Sequence, residues 1–164
     1  MATHRTSIAN KMAELLKQEL AEPKVTAGVY YTNLYNNAST QILHFDQIKD
    51  FPFVSVVKGT EYTEYQGGGF RWQFLEIYMR VFVSGYEDYD EQLEKVITDI
   101  KTFIDTNESF EYNITKPNGD TIINEVTEIT WESVTTDEGL LAPDAFGEIK
   151  LRVRYEDMNA LNCM

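Results

Sequence analysis

Residues 70–104 read FRWQFLEIYMRVFVSGYEDYDEQLEKVITDIKTFI, and this stretch decides the fold. From Leu75 onward the odd positions Leu75, Ile77, Met79, Val81 and Val83 are all apolar. Period-two spacing of that kind sets them on one face of a strand, which makes that face core. The even positions Phe70, Trp72, Phe74, Glu76, Tyr78, Arg80 and Phe82 point the other way and mix aromatic rings with two charges. A sheet face turned to water ordinarily carries small polar and charged residues. Two readings of the even face follow: a second, partly buried layer under loops, or a protein interface.

The strand gives way to an acidic turn and then a helix. Asp88 with Glu91 three residues on has the form of a capping box, so the helix is expected to begin there. Leu93, Val96, Ile97, Ile100, Phe103 and Ile104 keep the three-and-four spacing of one helical face, whereas Glu94, Lys95, Thr98, Asp99 and Lys101 fall largely on the other. Glu91 and Lys95 add an i, i+4 pair. Laid on the odd face of the preceding strand, this helix leaves the even face uncovered.

Upstream, Thr6 or Ser7 caps a first helix whose stripe is Ile8, Met12, Leu15, Leu16 and Leu20, and Pro23 marks its end. Val25 to Tyr31 reads as extended, residues 32–40 (TNLYNNAST) as a loop and Ile42 to Phe45 as a short strand. Pro52 introduces a buried strand, FVSVVKG, at 53–59. Glu61 to Gly69 (EYTEYQGGG) then forms a β-arm or hairpin tip, expected to be mobile because Gly67, Gly68 and Gly69 have loose backbone preferences. It is no phosphate loop: no Lys-Ser or Lys-Thr follows the glycines, and a strand comes next.

Downstream, Phe110, Tyr112 and Ile114 alternate before the turn KPNGD at 116–120, and the chain returns from Ile122 as a hairpin. In the next strand Thr127, Ile129, Trp131 and Ser133 oppose Glu128, Thr130 and Glu132. The loop TTDEGLLAPDAF exposes Leu140 and Leu141. A last strand alternates Ile149, Leu151, Val153 and Tyr155 with Glu148, Lys150, Arg152 and Arg154. That basic row either pairs with Glu128 and Glu132 across the sheet or docks an acidic neighbour.

These elements amount to one α+β domain over residues 1–164: a mainly antiparallel sheet with helices on one face and a projecting arm, and a flexible tail after about residue 157. Hydrophobic content of 43% excludes a largely disordered chain. A net charge of −13 opposes nonspecific binding to nucleic acid or anionic membrane. Cys163 has no partner for an internal disulfide, and nothing in the sequence has the length and apolarity of a bilayer span, so a cytosol-like compartment is expected.

Reactive groups are few. His4 falls in an expected frayed N-terminus, and His44 lies beside Phe45 in a structural setting. No metalloprotease, dithiol or nucleophile-elbow spacing occurs. Glu87, Asp88, Asp90 and Glu91 lack the alternating ligands and central glycine of a calcium loop. No catalytic, metal or cofactor residue is assigned, and the function is expected to reside in surfaces.

The order of the N-terminal helix, FPFVSVVKG, EYTEYQGGG, LEIYMRVFV, YDEQLEKVITDIKTFI and GEIKLRVRYED resembles the tail terminator proteins of long, noncontractile-tailed bacteriophages (siphophages). The likeness is clearest from Phe53 to Ile104 and from Gly147 to Asp157. It implies a homohexameric ring that caps the last ring of the tail tube, stops its polymerisation and offers its opposite side to neck or head-completion proteins. The implied location is the head-proximal end of the virion tail, after assembly in the host bacterial cytoplasm, with the tape measure protein as a further neighbour and no membrane. By the same resemblance the Trp72, Phe74, Glu76, Tyr78, Arg80 and Phe82 face is the subunit interface. The arm residues Glu61, Tyr62, Glu64, Tyr65, Gly67, Gly68 and Gly69 touch the tube or a neighbouring copy. Leu140, Leu141, Lys150, Arg152 and Arg154 form a docking loop and basic row. Six copies at −13 each carry −78 formal charges, which would let DNA pass through the ring without specific binding. The rival readings are a head–tail joining protein of the neck, a small acidic inhibitor of a host enzyme, and a metal-dependent enzyme built on Asp88 to Glu91.

Overall fold

The chain runs α1 (His4–Glu19), α2 (Glu22–Thr26), β1 (Ala38–Ser39), β2 (Phe53–Tyr65), β3 (Arg71–Val83), α3 (Tyr89–Thr106), β4 (Phe110–Thr115), β5 (Thr121–Thr136) and β6 (Ala145–Glu156). A 3₁₀ turn lies at Phe45–Gln47. This is a computed structural model that describes residues 3–85 and 87–156. The expected flexible tail and Cys163 lie outside the described residues. The six strands form one sheet in the order β1-β2-β3-β6-β5-β4, antiparallel except where β1 pairs parallel with β2.

Strand β3 is central, and its odd residues Leu75, Ile77, Met79, Val81 and Val83 are completely buried. Onto them, and onto Ile149, Leu151 and Val153 of β6, α3 lays Leu93, Val96, Ile97, Ile100, Phe103 and Ile104. Each such side chain contributes roughly 1.5–3 kcal/mol on burial, so the apolar stripe rather than helix propensity holds α3 in place. The approach is close at Gly147, where an added Cβ would sit 3.1 Å from Leu93 Cδ1 and 3.2 Å from Ile97 Cδ1. Helix α1 buries Ile8, Met12 and Leu16 and touches both β1–β2 and β4. Those strands are at opposite ends of the sheet order, so the sheet curls around α1. Both long helices cover the odd face, and the architecture is α+β as the sequence implies.

Several local expectations are overturned. Helix α1 starts earlier, with Thr3 as N-cap. His4 is consequently packed, not frayed: its Nδ1 lies 2.8 Å from Tyr112 Oη, and its ring stacks on Tyr155 with centroids 5.0 Å apart. Pro23 does follow the end of α1, but it sits in the first turn of α2, where a missing N–H costs nothing. Residues 25–31 therefore complete a short helix and a turn instead of an extended segment. Ile42–Phe45 is not a strand; the parallel edge partner of β2 is Ala38–Ser39, and His44 caps the 3₁₀ turn. Asp88 is the N-cap of α3, but its side chain makes no capping hydrogen bond. Asp99, assigned to the polar face, is 1% exposed.

Two bulges change which residues share a face. Between Lys58 and Glu61 the β2–β3 register slips, so the outward residues of β2 switch parity from Val57 to Tyr62. In β5 a slip at Glu132 brings Ser133 opposite Lys150 on the outer face, whereas Ile129, Trp131 and Val134 pair with Val153, Leu151 and Ile149 of the core-facing row.

Candidate functional site

The sheet face away from the helices is assembled from the even residues of β3 and β6, which stand directly opposite each other: Trp72 with Glu156, Phe74 with Arg154, Glu76 with Arg152, Tyr78 with Lys150, Arg80 with Glu148 and Phe82 with Phe146. Strand β2 contributes Tyr62 beside Phe74 and Glu64 beside Trp72. Strand β5 contributes Glu128 beside Arg154 and Thr130 beside Arg152. Among the described residues no helix covers this face.

The cations Arg80, Lys150, Arg152 and Arg154 of the face are each paired within the chain. Arg154 Nη1 lies 3.2 Å from Glu128 Oε2, Arg152 Nη2 2.7 Å from Glu132 Oε1, and Arg80 Nε 2.9 Å from Glu148 Oε2. Lys150 Nζ bridges Glu76 at 3.3 Å and Glu132 at 3.5 Å. The basic row thus pairs with Glu128 and Glu132 across the sheet. The guanidinium of Arg154 also stacks 4.2 Å from the Trp72 ring centre, and that of Arg152 lies 5.8 Å from Phe74. The result is a face of aromatic rings and neutralised charge, whose adhesive part is its rings.

Glu76 is the buried centre of this face. It is 5% exposed, accepts from the Tyr78 hydroxyl at 3.1 Å and faces the Lys150 ammonium. The hydrogen bond to Glu76, followed by burial, pushes the Tyr78 phenol above its ordinary value. The same carboxylate pushes Lys150 up, so both partners hold their protons more tightly. The Tyr78 ring can lie there because residue 59 is glycine: a Cβ at Gly59 would fall 2.5 Å from Tyr78 Cε2. The bulge, the glycine and the Tyr78–Glu76 pair form one device that sets the face at the base of the arm.

Beyond the bulge, β2 and β3 continue as a hairpin whose residues Tyr62 to Gly69 are all exposed. On its inward side apolar residues give way to Thr63 and Gln73, joined by a 2.6 Å hydrogen bond that satisfies the buried Gln73 side-chain oxygen. Gly68 and Gly69 take left-handed φ values of 74° and 82°, and Gln66 N–H donates to Phe70 O to close the tip. Glu61 is bonded to the Tyr155 hydroxyl at the root, whereas Tyr65 is 76% exposed. At the other end of the face, Phe82 packs against Phe45 and Phe146. Beside them, Asp137 accepts from the Leu141 and Phe146 amides and shapes the turn that holds Leu140 87% exposed. The arm, the aromatic face and the Leu140–Leu141 turn therefore follow one another along one side of the molecule. Sequence reading missed Gly59, whose role depends on a register slip, and Asp99.

Among the described residues no group of three or more His, Cys, Asp or Glu side chains comes together as a metal set, and no helix is long and apolar enough to cross a membrane. The Asp88 and Glu91 carboxylates instead meet neighbours on their own helix, Gln92 and Lys95.

Comparison with known proteins places this architecture. The family model described as bacteriophage tail tube terminator protein matches residues 2–163. The tail tube terminator protein p142 of Escherichia phage T5 is 44% identical over 155 residues, covering 93% of this chain and 94% of that protein. On the strength of both matches, the chain belongs to the bacteriophage tail tube terminator family, a family of structural proteins of the phage tail.

Proposed function

We propose that this chain acts as a homohexameric ring on the head-proximal end of the tail tube. The ring covers the face to which the next tube subunit would add and presents no equivalent face in return, so polymerisation stops. Its opposite side receives the neck or head-completion proteins, and the tape measure protein ends beneath it. DNA passes through the centre without specific binding, an acidic wall repelling its phosphates. The ring is assembled in the host cytoplasm and carries out no catalysis.

The observation that supports the ring most directly is the uncovered outer face. Trp72, Phe74 and Tyr78 sit half-buried in the isolated chain, flanked by charges already neutralised within it. Interfaces that stay assembled concentrate aromatic residues at their centres and exclude unpaired charge. The exposed arm from Tyr62 to Gly69 then reaches past the subunit body toward the tube or a neighbouring copy. A Trp72→Asp, Tyr78→Asp double variant that keeps its secondary structure is expected to lose ring formation on tails. Normal rings from that variant would sink the assignment of this face.

A further inference from the structure

The loop between α2 and β1 is built to display two tyrosines. Tyr31 and Tyr35 are 66% and 71% exposed, with Val29 at 50% beside them. Exposed loop residues usually sit on relaxed backbone, yet Tyr35 and Asn36 hold left-handed φ values of 51° and 66°. For an aromatic residue this is an unfavourable conformation that surrounding structure must impose. That structure is present. Both carboxylate oxygens of buried Asp99 on α3 accept backbone N–H groups of the loop, from Tyr31 at 3.0 Å and Thr32 at 2.8 Å. Leu34 is fully buried, and its amide donates to Leu20 O at the end of α1. Asn33 Oδ1 accepts from the Tyr35 amide at 2.8 Å. A buried carboxylate, a buried leucine and a strained backbone are thus spent on fixing rings that touch little of their own chain.

The loop rides on α1 and α3, the helical layer, and the aromatic outer face is the opposite side of the sheet those helices cover. Two different sticky surfaces on opposite sides of one subunit are what a head-to-tail contact requires, and a head-to-tail contact repeated around an axis closes a ring. Given the ring reading above, on which this inference rests, we propose that the Tyr31–Tyr35 loop of one copy seats on the Trp72–Phe74–Arg152–Arg154 region of the next. There a shallow cleft lined by Tyr62, Glu64, Phe74 and Arg152 opens beside the arm. The fit is chemical as well as geometric: tyrosine rings stack on guanidinium planes and on other aromatic rings, and leave their hydroxyls for the rim carboxylates.

The test uses intact tails carrying a photo-reactive benzoylphenylalanine in place of Tyr35, followed by mass spectrometry of the joined peptides. The expected product is a covalent dimer of this chain whose partner peptide falls within residues 61–82 or 148–156. Cross-links to the tube or neck protein, to another surface of a neighbouring copy, or to nothing would each overturn the proposal. Lysine-directed cross-linking of the same tails separates this from the ring reading, because copies that join to one another there uphold the ring even when residue 35 reaches elsewhere. A second variant, Tyr35→Asn, keeps a residue that tolerates left-handed backbone, so its melting temperature is expected to hold or rise while assembly at limiting protein falls about tenfold, the loss of one interface anchor. Unchanged assembly would contradict the proposal.

Discussion

Replacing Asp99 with alanine tests the claim that a buried carboxylate organises the helical side of the protein. Each of its two backbone hydrogen bonds joins an N–H to an ionisable acceptor, a class worth about 1.5–3 kcal/mol. The Tyr31 amide belongs to an exposed residue and can find water, whereas Thr32 is buried and its amide is left stranded. The net loss is therefore expected at about 2–4 kcal/mol, below the simple sum, because the variant also escapes the cost of burying a carboxylate. The readout is the midpoint of urea unfolding at constant slope, together with faster hydrogen exchange at the Thr32 amide. A loss under about 1 kcal/mol would refute the reasoning, since the two hydrogen bonds then contribute no more than burying the carboxylate costs.

The pH dependence carries a sign. Burial pushes the folded Asp99 carboxyl above its ordinary value, with the bonds from the Tyr31 and Thr32 amides pulling partly back. The folded state consequently holds this proton more tightly than the unfolded chain. Its contribution is largest below the unfolded value of about 4 and declines as pH rises through the folded one. The stability gap between wild type and Asp99→Ala should narrow over that interval and then stay constant. A gap that widens with pH would mean that the hydrogen bonds dominate burial.

Two further predictions follow from close packing and from a buried phenol. Gly59→Ala forces Tyr78 off its site and breaks its bond to Glu76, at about 1–3 kcal/mol by urea unfolding, with an altered near-ultraviolet aromatic signal; an unchanged spectrum would show the ring has room to move. Tyr30, buried and donating to Glu19 at 3.1 Å, has its phenol pushed up to about 12 by burial and then by that carboxylate. Its stabilisation is full below about pH 10 and lost between there and about 12, so Tyr30→Phe should flatten the alkaline loss of stability; an equally steep loss would place the titration elsewhere.

The central strand, its helix and the faces they define were legible because burial on one side writes a period into the residues: Leu75 to Val83 and Leu93 to Ile104 occupy the positions that their spacing demands. The terminal hairpin and last strand were legible for the same reason. What escaped the sequence was set by contacts distant along the chain. Asp99 has the spacing of a surface residue and is buried by a loop about 67 residues earlier, joined through Thr32. His4 looks terminal but is ordered by Tyr112 and Tyr155. The bulges at Gly59 and Glu132 reverse which residues face outward, and no local pattern announces a register slip. Of the surfaces, the aromatic face was visible as a row of rings where polar residues were due. The tyrosine loop was not, since TNLYNN reads as an ordinary turn-rich connection until its backbone and anchors are known.

The most direct measurement is electron microscopy of lysates from the phage that encodes this chain, with a stop codon early in its gene, scoring tail length and head attachment. Termination by this protein predicts headless tails with abnormally extended tubes, restored to normal length when the chain is supplied in trans. Tails of normal length that merely fail to join heads would contradict termination and move the protein to the neck, and intact infectious virions would remove it from tail assembly altogether.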